Sequence, residues 1–214
     1  MRKRMTTSTT ASGPRFKADA AFLTFTGDEY DEMVRSGHLD DEDNVELLEG
    51  YIVLKMPANP PHDYSVTRTA KILDRLLPVG WTMRSQIGTR LAESRPEPDA
   101  AVARGSDQDY VGRQPGPADL GLVVEVSDSS LARDEQDKTR IYARDSIPVY
   151  WVVNLVDRRV EVFTDPTGPD PAAGLPADPD PHYRSRQDYP AGTAVPLILD
   201  GVGVGAISVD ELLP

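Results

Sequence analysis

The chain has 214 residues, a length typical of one globular domain with short extensions. Its 35 acidic and 23 basic side chains give a net charge of −12, and 39% of its residues are apolar, too many for a chain disordered throughout. The lack of cysteine excludes disulfides, iron–sulfur clusters, cysteine-ligated zinc and thiol nucleophiles, and no apolar run is long enough to span a bilayer. We therefore expect a cytoplasmic protein with no secretory signal and no membrane partner.

The negative charge is concentrated in one part of the chain. Residues 28–49 contain ten acidic side chains and one basic side chain, Arg35, whereas most of the remaining chain is close to neutral. Nucleic-acid binding depends mainly on cationic contacts with phosphates. Because this segment, with ten acidic and one basic side chain, carries −9 of the net charge of −12, the net charge does not exclude a nucleic-acid partner.

The N-terminal elements are predicted from composition and capping residues. Residues 1–20 are basic and rich in Thr and Ser, without apolar periodicity, and we expect a disordered arm there. Thr26 and Glu29 have the spacing of a capping box, which predicts a helix that ends near Gly37.

The remaining elements follow from the spacing of apolar residues, which is two in half-buried strands and three or four in helices. This spacing predicts a hairpin of strands 45–48 and 51–56, a helix over 63–77, strands at 81–83, 87–91, 99–102 and 120–127, a helix over 132–143, and strands at 149–154 and 159–163. The order predicts an α/β or α+β domain, in which helices flank one mixed sheet, with an N-terminal β-hairpin and a C-terminal strand extension.

Three charged side chains fall within or beside the predicted core elements. Asp99 begins a strand, and Glu125 lies within the most apolar strand, where an unpaired charge is costly. Two carboxylates on neighbouring strands can share a hard divalent cation such as Mg²⁺. Lys138, on the following helix, could orient or help to deprotonate a water molecule and offset phosphate charge. These groups are the minimum set for metal-assisted phosphodiester hydrolysis.

Several short motifs add to this pattern in a particular order. They are Val45-Glu-Leu-Leu-Glu-Gly-Tyr-Ile-Val53, His62, Pro98-Asp99, Val124-Glu-Val-Ser127, Asp134, Lys138, Tyr142-Ala143 and Val149-Tyr-Trp-Val-Val153. In order and spacing they resemble the Uma-type restriction endonucleases, a family of the PD-(D/E)XK nuclease superfamily. The resemblance implies a restriction-endonuclease-like core, a mixed β-sheet flanked by helices.

The resemblance also implies how the chain is divided. The nuclease-like domain would cover residues 21–164, and the C-terminal residues 191–214 would be an extension of the same domain. Between them, residues 165–190 are rich in proline and are predicted to form a surface loop that builds no core.

Site residues follow from the same resemblance. Asp99 and Glu125 would bind Mg²⁺, with Mn²⁺ as a substitute, and Lys138 would be the catalytic lysine. Glu46 and His62 stand at positions that the family also keeps polar, and they are assigned to catalysis. The implied activity is endonucleolytic hydrolysis of DNA, and a homodimer is expected because nucleases that cut two strands often use two sites.

The position of the lysine departs from the superfamily pattern. There the lysine usually stands two residues after the second acid, where this chain has Ser127. Lys138 would then be a migrated equivalent, although it could instead form an exposed ion pair with Asp134. Similarly, Glu46 could lie on the solvent face of the hairpin, and His62 could simply begin a helix. The alternative function is a catalytically silent nuclease fold that acts as a binding or interaction module.

Overall fold

The computed structural model describes residues 22–169 and 178–214. In chain order, its helices and strands are α1 (Gly27–Arg35), β1 (Val45–Leu48), β2 (Tyr51–Leu54), α2 (Pro60–Leu76), β3 (Trp81–Ser85), β4 (Ala100–Arg104), β5 (Leu120–Ser127), α3 (Leu131–Arg133), a π-helical turn (Asp134–Lys138), α4 (Thr139–Arg144), β6 (Val149–Asn154), β7 (Arg159–Pro166), β8 (Tyr183–Pro190), β9 (Ala194–Leu199) and β10 (Val202–Ser208).

A six-stranded mixed sheet forms the centre of the fold, in the order β3-β4-β5-β6-β7-β8. Strands β5 and β6 run parallel, and the other neighbouring pairs of this sheet run antiparallel. The parallel pair requires a crossover connection, which α3, the π-helical turn and α4 provide. This α+β architecture, a mixed sheet flanked by helices, is the one that the sequence predicts.

The two faces of the sheet are covered by different elements. On one face, α2 and the β9–β10 hairpin pack against residues such as Val124 and Trp151. On the other face, Tyr142 of α4 packs against Val123 and Tyr150. Because side chains alternate along a strand, Glu125 shares the face of Val123 and therefore lies on the α4 side.

The N-terminal helix and hairpin form as the sequence predicts. Thr26 caps α1 through a capping box with Glu29. Strands β1 and β2 pair antiparallel around Glu49 and Gly50, both of which have positive φ. A small apolar cluster joins α1 to this hairpin and includes Tyr30.

The second helix begins earlier than predicted. Asn59 is the N-cap of α2, and Pro60 and Pro61 occupy its first turn, where proline is tolerated because the N–H groups there need no partner within the helix. His62 therefore lies inside the first turn of α2.

The predicted strand at 87–91 is wrong. The backbone N–H groups of Thr89, Arg90 and Leu91 donate to Pro96, Pro115 and Ser94, which lie in irregular segments, and no neighbouring strand pairs with them. The spacing of apolar residues there is strand-like, but the hydrogen-bond partners within reach are loops.

The loop prediction for residues 165–190 is wrong at its C-terminal end. Residues 183–190 form β8, which pairs antiparallel with β7, and Tyr183 is buried and donates a hydrogen bond to the carbonyl of Ile147. Residues 170–177 of this segment, and the predicted N-terminal arm at 1–20, lie outside the described residues. Within the described residues, no helix has the length and apolar character needed to cross a membrane.

Candidate active site

A polar pocket of about 350 Å³ opens on the α4 side of the sheet, between the β1–β2 hairpin, the start of α2 and the end of β5. It collects every site residue that the sequence singles out: Glu46, His62, Asp99, Glu125 and Lys138. These residues come from five different elements or loops, so the pocket forms only in the folded chain.

Asp99 and Glu125 are brought together by the pairing of β4 with β5. Asp99 directly precedes β4, in which Ala100 pairs with Val124 of β5. The Oδ2 atom of Asp99 accepts a hydrogen bond of 2.8 Å from the backbone N–H of Val126, the residue after Glu125. Both carboxylates line the pocket.

Lys138 reaches the same pocket from the π-helical turn. Its Nζ atom lies 3.0 Å from Glu125 Oε1, 3.6 Å from Glu46 Oε2 and 3.9 Å from Asp134 Oδ1. Only 8% of the lysine side chain is exposed. An exposed Lys138 that pairs with Asp134 alone is therefore excluded.

The site holds more negative than positive charge in a buried setting. Burial raises the pKa of Glu125 to about 8; the ammonium of Lys138 opposes this rise, and Asp134, Asp99 and Glu46 add to it. Burial alone would lower the pKa of Lys138, but Glu125, Glu46 and Asp134 outweigh it and hold this pKa above its ordinary range. Lys138 is consequently a cation, and a further cation would be stabilised beside these carboxylates.

His62 lines the pocket and contacts Asp99. Its Nε2 atom lies 3.3 Å from Asp99 Oδ2, and this hydrogen bond is the largest influence raising the pKa of His62. Its Nδ1 atom is buried and has no hydrogen-bond partner in the described part of the chain. The ring therefore serves to hold the Asp99 carboxylate.

Glu46 is buried, which excludes the alternative that it lies on the solvent face of the hairpin. The residue is 1% exposed, and its Oε2 atom accepts a long hydrogen bond of 3.4 Å from the backbone N–H of Glu97. The same oxygen faces Lys138, so β1 contributes a second acid to the lysine's surroundings.

Two neighbours of Lys138 make contacts that the sequence predicts only in part. Their spacing of four residues from Lys138 predicts that Asp134 and Tyr142 share its helical face. The spacing does not predict that the Tyr142 hydroxyl donates a hydrogen bond of 2.8 Å to Glu125 Oε1. Asp134 accepts hydrogen bonds from the hydroxyls of Ser127 and Ser130. Ser127, which stands at the usual lysine position, thus holds the π-helical turn against the end of β5.

Sequence reasoning missed the wall of the pocket formed by residues 55–59, which we call the rim segment. The Nζ atom of Lys55 lies 2.5 Å from Glu97 Oε2, and the amide of Asn59 donates to Asp128 at 2.7 Å. Arg133 donates to the backbone carbonyl of Leu54, just before this segment. The partners are far apart in sequence, so no local signal could have revealed them.

Asp99 and Glu125 are the residues that could hold a divalent cation such as Mg²⁺. Asp99 Oδ1 and Glu125 Oε2 accept no hydrogen bond from the described residues. The contacts given above are made by the other oxygen of each carboxylate, Asp99 Oδ2 and Glu125 Oε1. Mg²⁺ typically binds through one or two carboxylates and keeps several water ligands. Among residues 22–169 and 178–214, no group of three or more His, Asp or Glu side chains is arranged to hold a metal ion.

The hairpin that carries Glu46 is tied to α4 by an ionic contact. Glu49 Oε1 lies 3.0 Å from Arg140 Nε and 2.8 Å from Arg144 NH1. Arg140, through its hydrogen bond and its charge, and Arg144 together lower the pKa of Glu49, although partial burial opposes them.

Replacing Glu49 by Gln should lower the free energy of unfolding by about 0.5–1 kcal/mol at neutral pH, the range of a partly exposed ion pair. Because the folded-state pKa of Glu49 is lowered, its contribution is complete above the unfolded-state pKa of about 4.3 and is lost as the pH falls below it. Urea unfolding of both proteins over a pH series tests this. A difference in stability that persists in strong acid would contradict it.

Comparisons with known proteins agree with this architecture. Residues 28–180 match the model of the Uma2 family, described as "Putative restriction endonuclease". A comparison with curated proteins found no match. A solved structure that matches is described as "a putative nuclease belonging to DUF820 from Anabaena variabilis ATCC 29413"; it is 12% identical, with a TM-score of 0.61, over 88% of this chain and 97% of that one.

The identity to the solved structure is low, so that likeness supports the fold alone. The family match is stronger evidence, because it covers more than half of the chain and includes the hairpin, five of the six strands of the central sheet and every pocket residue named by sequence. The chain therefore belongs to the Uma2 family and is a nuclease-like protein.

Proposed function

We propose that this protein is a Mg²⁺-dependent endonuclease that hydrolyses DNA phosphodiester bonds at the site of Asp99, Glu125 and Lys138. The observation that carries the proposal is the convergence of these three side chains in one pocket, with the Lys138 ammonium 3.0 Å from Glu125. Membership of the Uma2 family supports the choice of DNA as substrate.

Asp99, Glu125 and Lys138 would have different roles in hydrolysis. Asp99 and Glu125 would hold the metal through the oxygens that accept no hydrogen bond. A bound Mg²⁺ would supply Lewis-acid stabilisation of the negative charge that develops on the phosphate. Lys138, which stays protonated, would offset phosphate charge and orient the attacking water by donating a hydrogen bond to it, while the proton that the water loses would pass to solvent and the leaving oxygen would take up a proton from solvent.

Glu46 and His62 would act through these groups. His62 would keep Asp99 in place through its 3.3 Å contact, and Glu46 would keep the ammonium of Lys138 within the pocket. Tyr142 would fix the orientation of Glu125 by donating to Oε1, leaving Oε2 for the metal. These are positioning roles, since none of the three contacts requires the substrate.

Cleavage of labelled DNA by the full chain, with and without Mg²⁺ or Mn²⁺, tests the proposal. We expect cleavage that requires the divalent cation and that falls by at least about 100-fold in Glu125→Gln, as when a group essential to catalysis is removed. Because the variant is nearly isosteric and is purified in the same way, it also controls for contaminating nucleases. Equal cleavage by both proteins, or none by either, would contradict the proposal.

A binding module is the second candidate, and the net charge of −12 favours it because binding of a DNA duplex depends mainly on cationic contacts with its phosphates. In that case Lys138 and its carboxylates would be a structural ion cluster. Metal binding without any hydrolysis would support this candidate. The expected homodimer is a separate proposal, which sedimentation of the purified chain tests.

A further inference from the structure

We infer that the site acts on an unpaired DNA strand rather than on an intact duplex, an inference that rests on the nuclease function proposed above. Three features of the pocket carry it: the depth of its reactive groups, the bridged rim and the charge of its lining. Each limits how closely a paired, stiff substrate can approach Asp99 and Glu125.

The reactive groups lie below the surface. The exposed fraction is 5% for the side chain of Glu125, 8% for Lys138 and 12% for Asp99. A pocket of about 350 Å³ is at the lower end of the range that encloses one small ligand. One nucleotide of a flexible strand can enter such a space, whereas a phosphate within a duplex is accompanied by its neighbours and by the opposite strand.

The rim segment closes one side of the pocket and is held at both ends. Lys55 is bound to Glu97 and Asn59 is bound to Asp128, and all four residues line the pocket. Arg133 adds a third connection through the carbonyl of Leu54. The segment therefore cannot move aside to form an open groove without breaking contacts to three other parts of the chain.

The pocket lining would repel a duplex more than a single strand. It contains six carboxylates and three cationic side chains, which are Glu46, Glu97, Asp99, Glu125, Asp128 and Asp134 against Lys55, Arg133 and Lys138. Duplex DNA carries one negative charge per about 1.7 Å of its axis and binds proteins mainly through cationic contacts, while the ionic contribution per contact is smaller for single strands.

The test compares three substrates of one sequence: a single strand, a duplex, and a duplex with an internal unpaired bubble, each with Mn²⁺ and the full chain. Unpairing costs a few kcal/mol, so the single strand and the bubble should be cut at least about tenfold faster than the duplex. Glu125→Gln reports background cleavage. Cleavage of the duplex at an equal or higher rate would overturn this inference and leave the proposed function standing. Absence of cleavage in all three would overturn the proposed function itself.

A second variant tests the rim directly. Asp128→Ala with Arg133→Ala removes two of the three connections and leaves the N-cap of α2 intact, because Asn59 Oδ1 still accepts from the His62 N–H. We expect the preference for the single strand to fall several-fold, with a rise in the duplex rate. The matched control is Glu32→Ala with Arg35→Ala, an exposed acid–arginine pair on α1. An unchanged preference in the rim variant would mean that the rim does not select the substrate.

Discussion

Replacing Lys138 by Met should lower the free energy of unfolding by up to about 3–5 kcal/mol, the cost of breaking a buried ion pair. The loss should be larger at pH 9 than at neutral pH, where Glu125, whose pKa is about 8, can take up a proton. The loss arises because Glu125, 4% exposed, and Glu46, 1% exposed, would face each other without the ammonium between them. Methionine keeps most of the aliphatic stem, so the lost packing is small. Urea unfolding at neutral pH and at pH 9 measures the effect, and hydrolysis should be abolished in the same variant.

Two comparisons make this prediction specific. Lys71→Met removes a lysine that is exposed on α2, and it should change stability by no more than about 0.5 kcal/mol. Adding Glu125→Gln to Lys138→Met should restore part of the lost stability, because it removes the uncompensated carboxylate. If Lys138→Met unfolds at the same denaturant concentration as the parent protein, the buried charge network contributes nothing to the fold.

Divalent metal should stabilise the parent protein, and Asp99→Asn should lose this response. At a metal concentration about 100 times the dissociation constant, mass action adds about 2.7 kcal/mol. For a domain of this size, that free energy corresponds to a rise of about 5–10 °C in melting temperature. Without metal, Asp99→Asn should be as stable as the parent protein or more so, because it removes one of several neighbouring like charges.

The asparagine variant is a fair test because its side-chain oxygen can still accept the hydrogen bond from the Val126 N–H. Asp74→Asn, at an exposed position on α2, controls for the loss of one negative charge and should keep the full metal response. Chelation of the metal should return the parent protein to its metal-free melting temperature. An unchanged metal response in Asp99→Asn would place the metal elsewhere on the protein.

Elements that depend on local chemistry could be predicted closely from the sequence. The strand at 120–127 has the predicted bounds because its apolar run is buried throughout. The cap at Thr26 and the turn at Glu49-Gly50 are set by residues within a few positions of each other. By contrast, β8 was missed because an edge strand with exposed side chains at 184–188 shows no apolar alternation, and its partner β7 supplies the pairing.

The candidate site, too, could be predicted from the sequence only in part. A charged residue within an apolar strand is anomalous in the sequence itself, which is why Glu125 could be recognised. The tertiary structure decided that Lys138 lies 3.0 Å from it, because a π-helical turn after the crossover from β5 carries the lysine back over the strand.

The sequence by itself therefore determined the helix caps, the apolar central strand, the likeness to a nuclease family and the identity of the candidate acids. Only the tertiary structure decided which polar atoms meet: Tyr142 with Glu125, His62 with Asp99, and Asn59 with Asp128. The physical reason is that periodicity and capping act over a few residues. A hydrogen bond between residues tens of positions apart depends instead on the order and register of the strands, which the packing of the whole core selects.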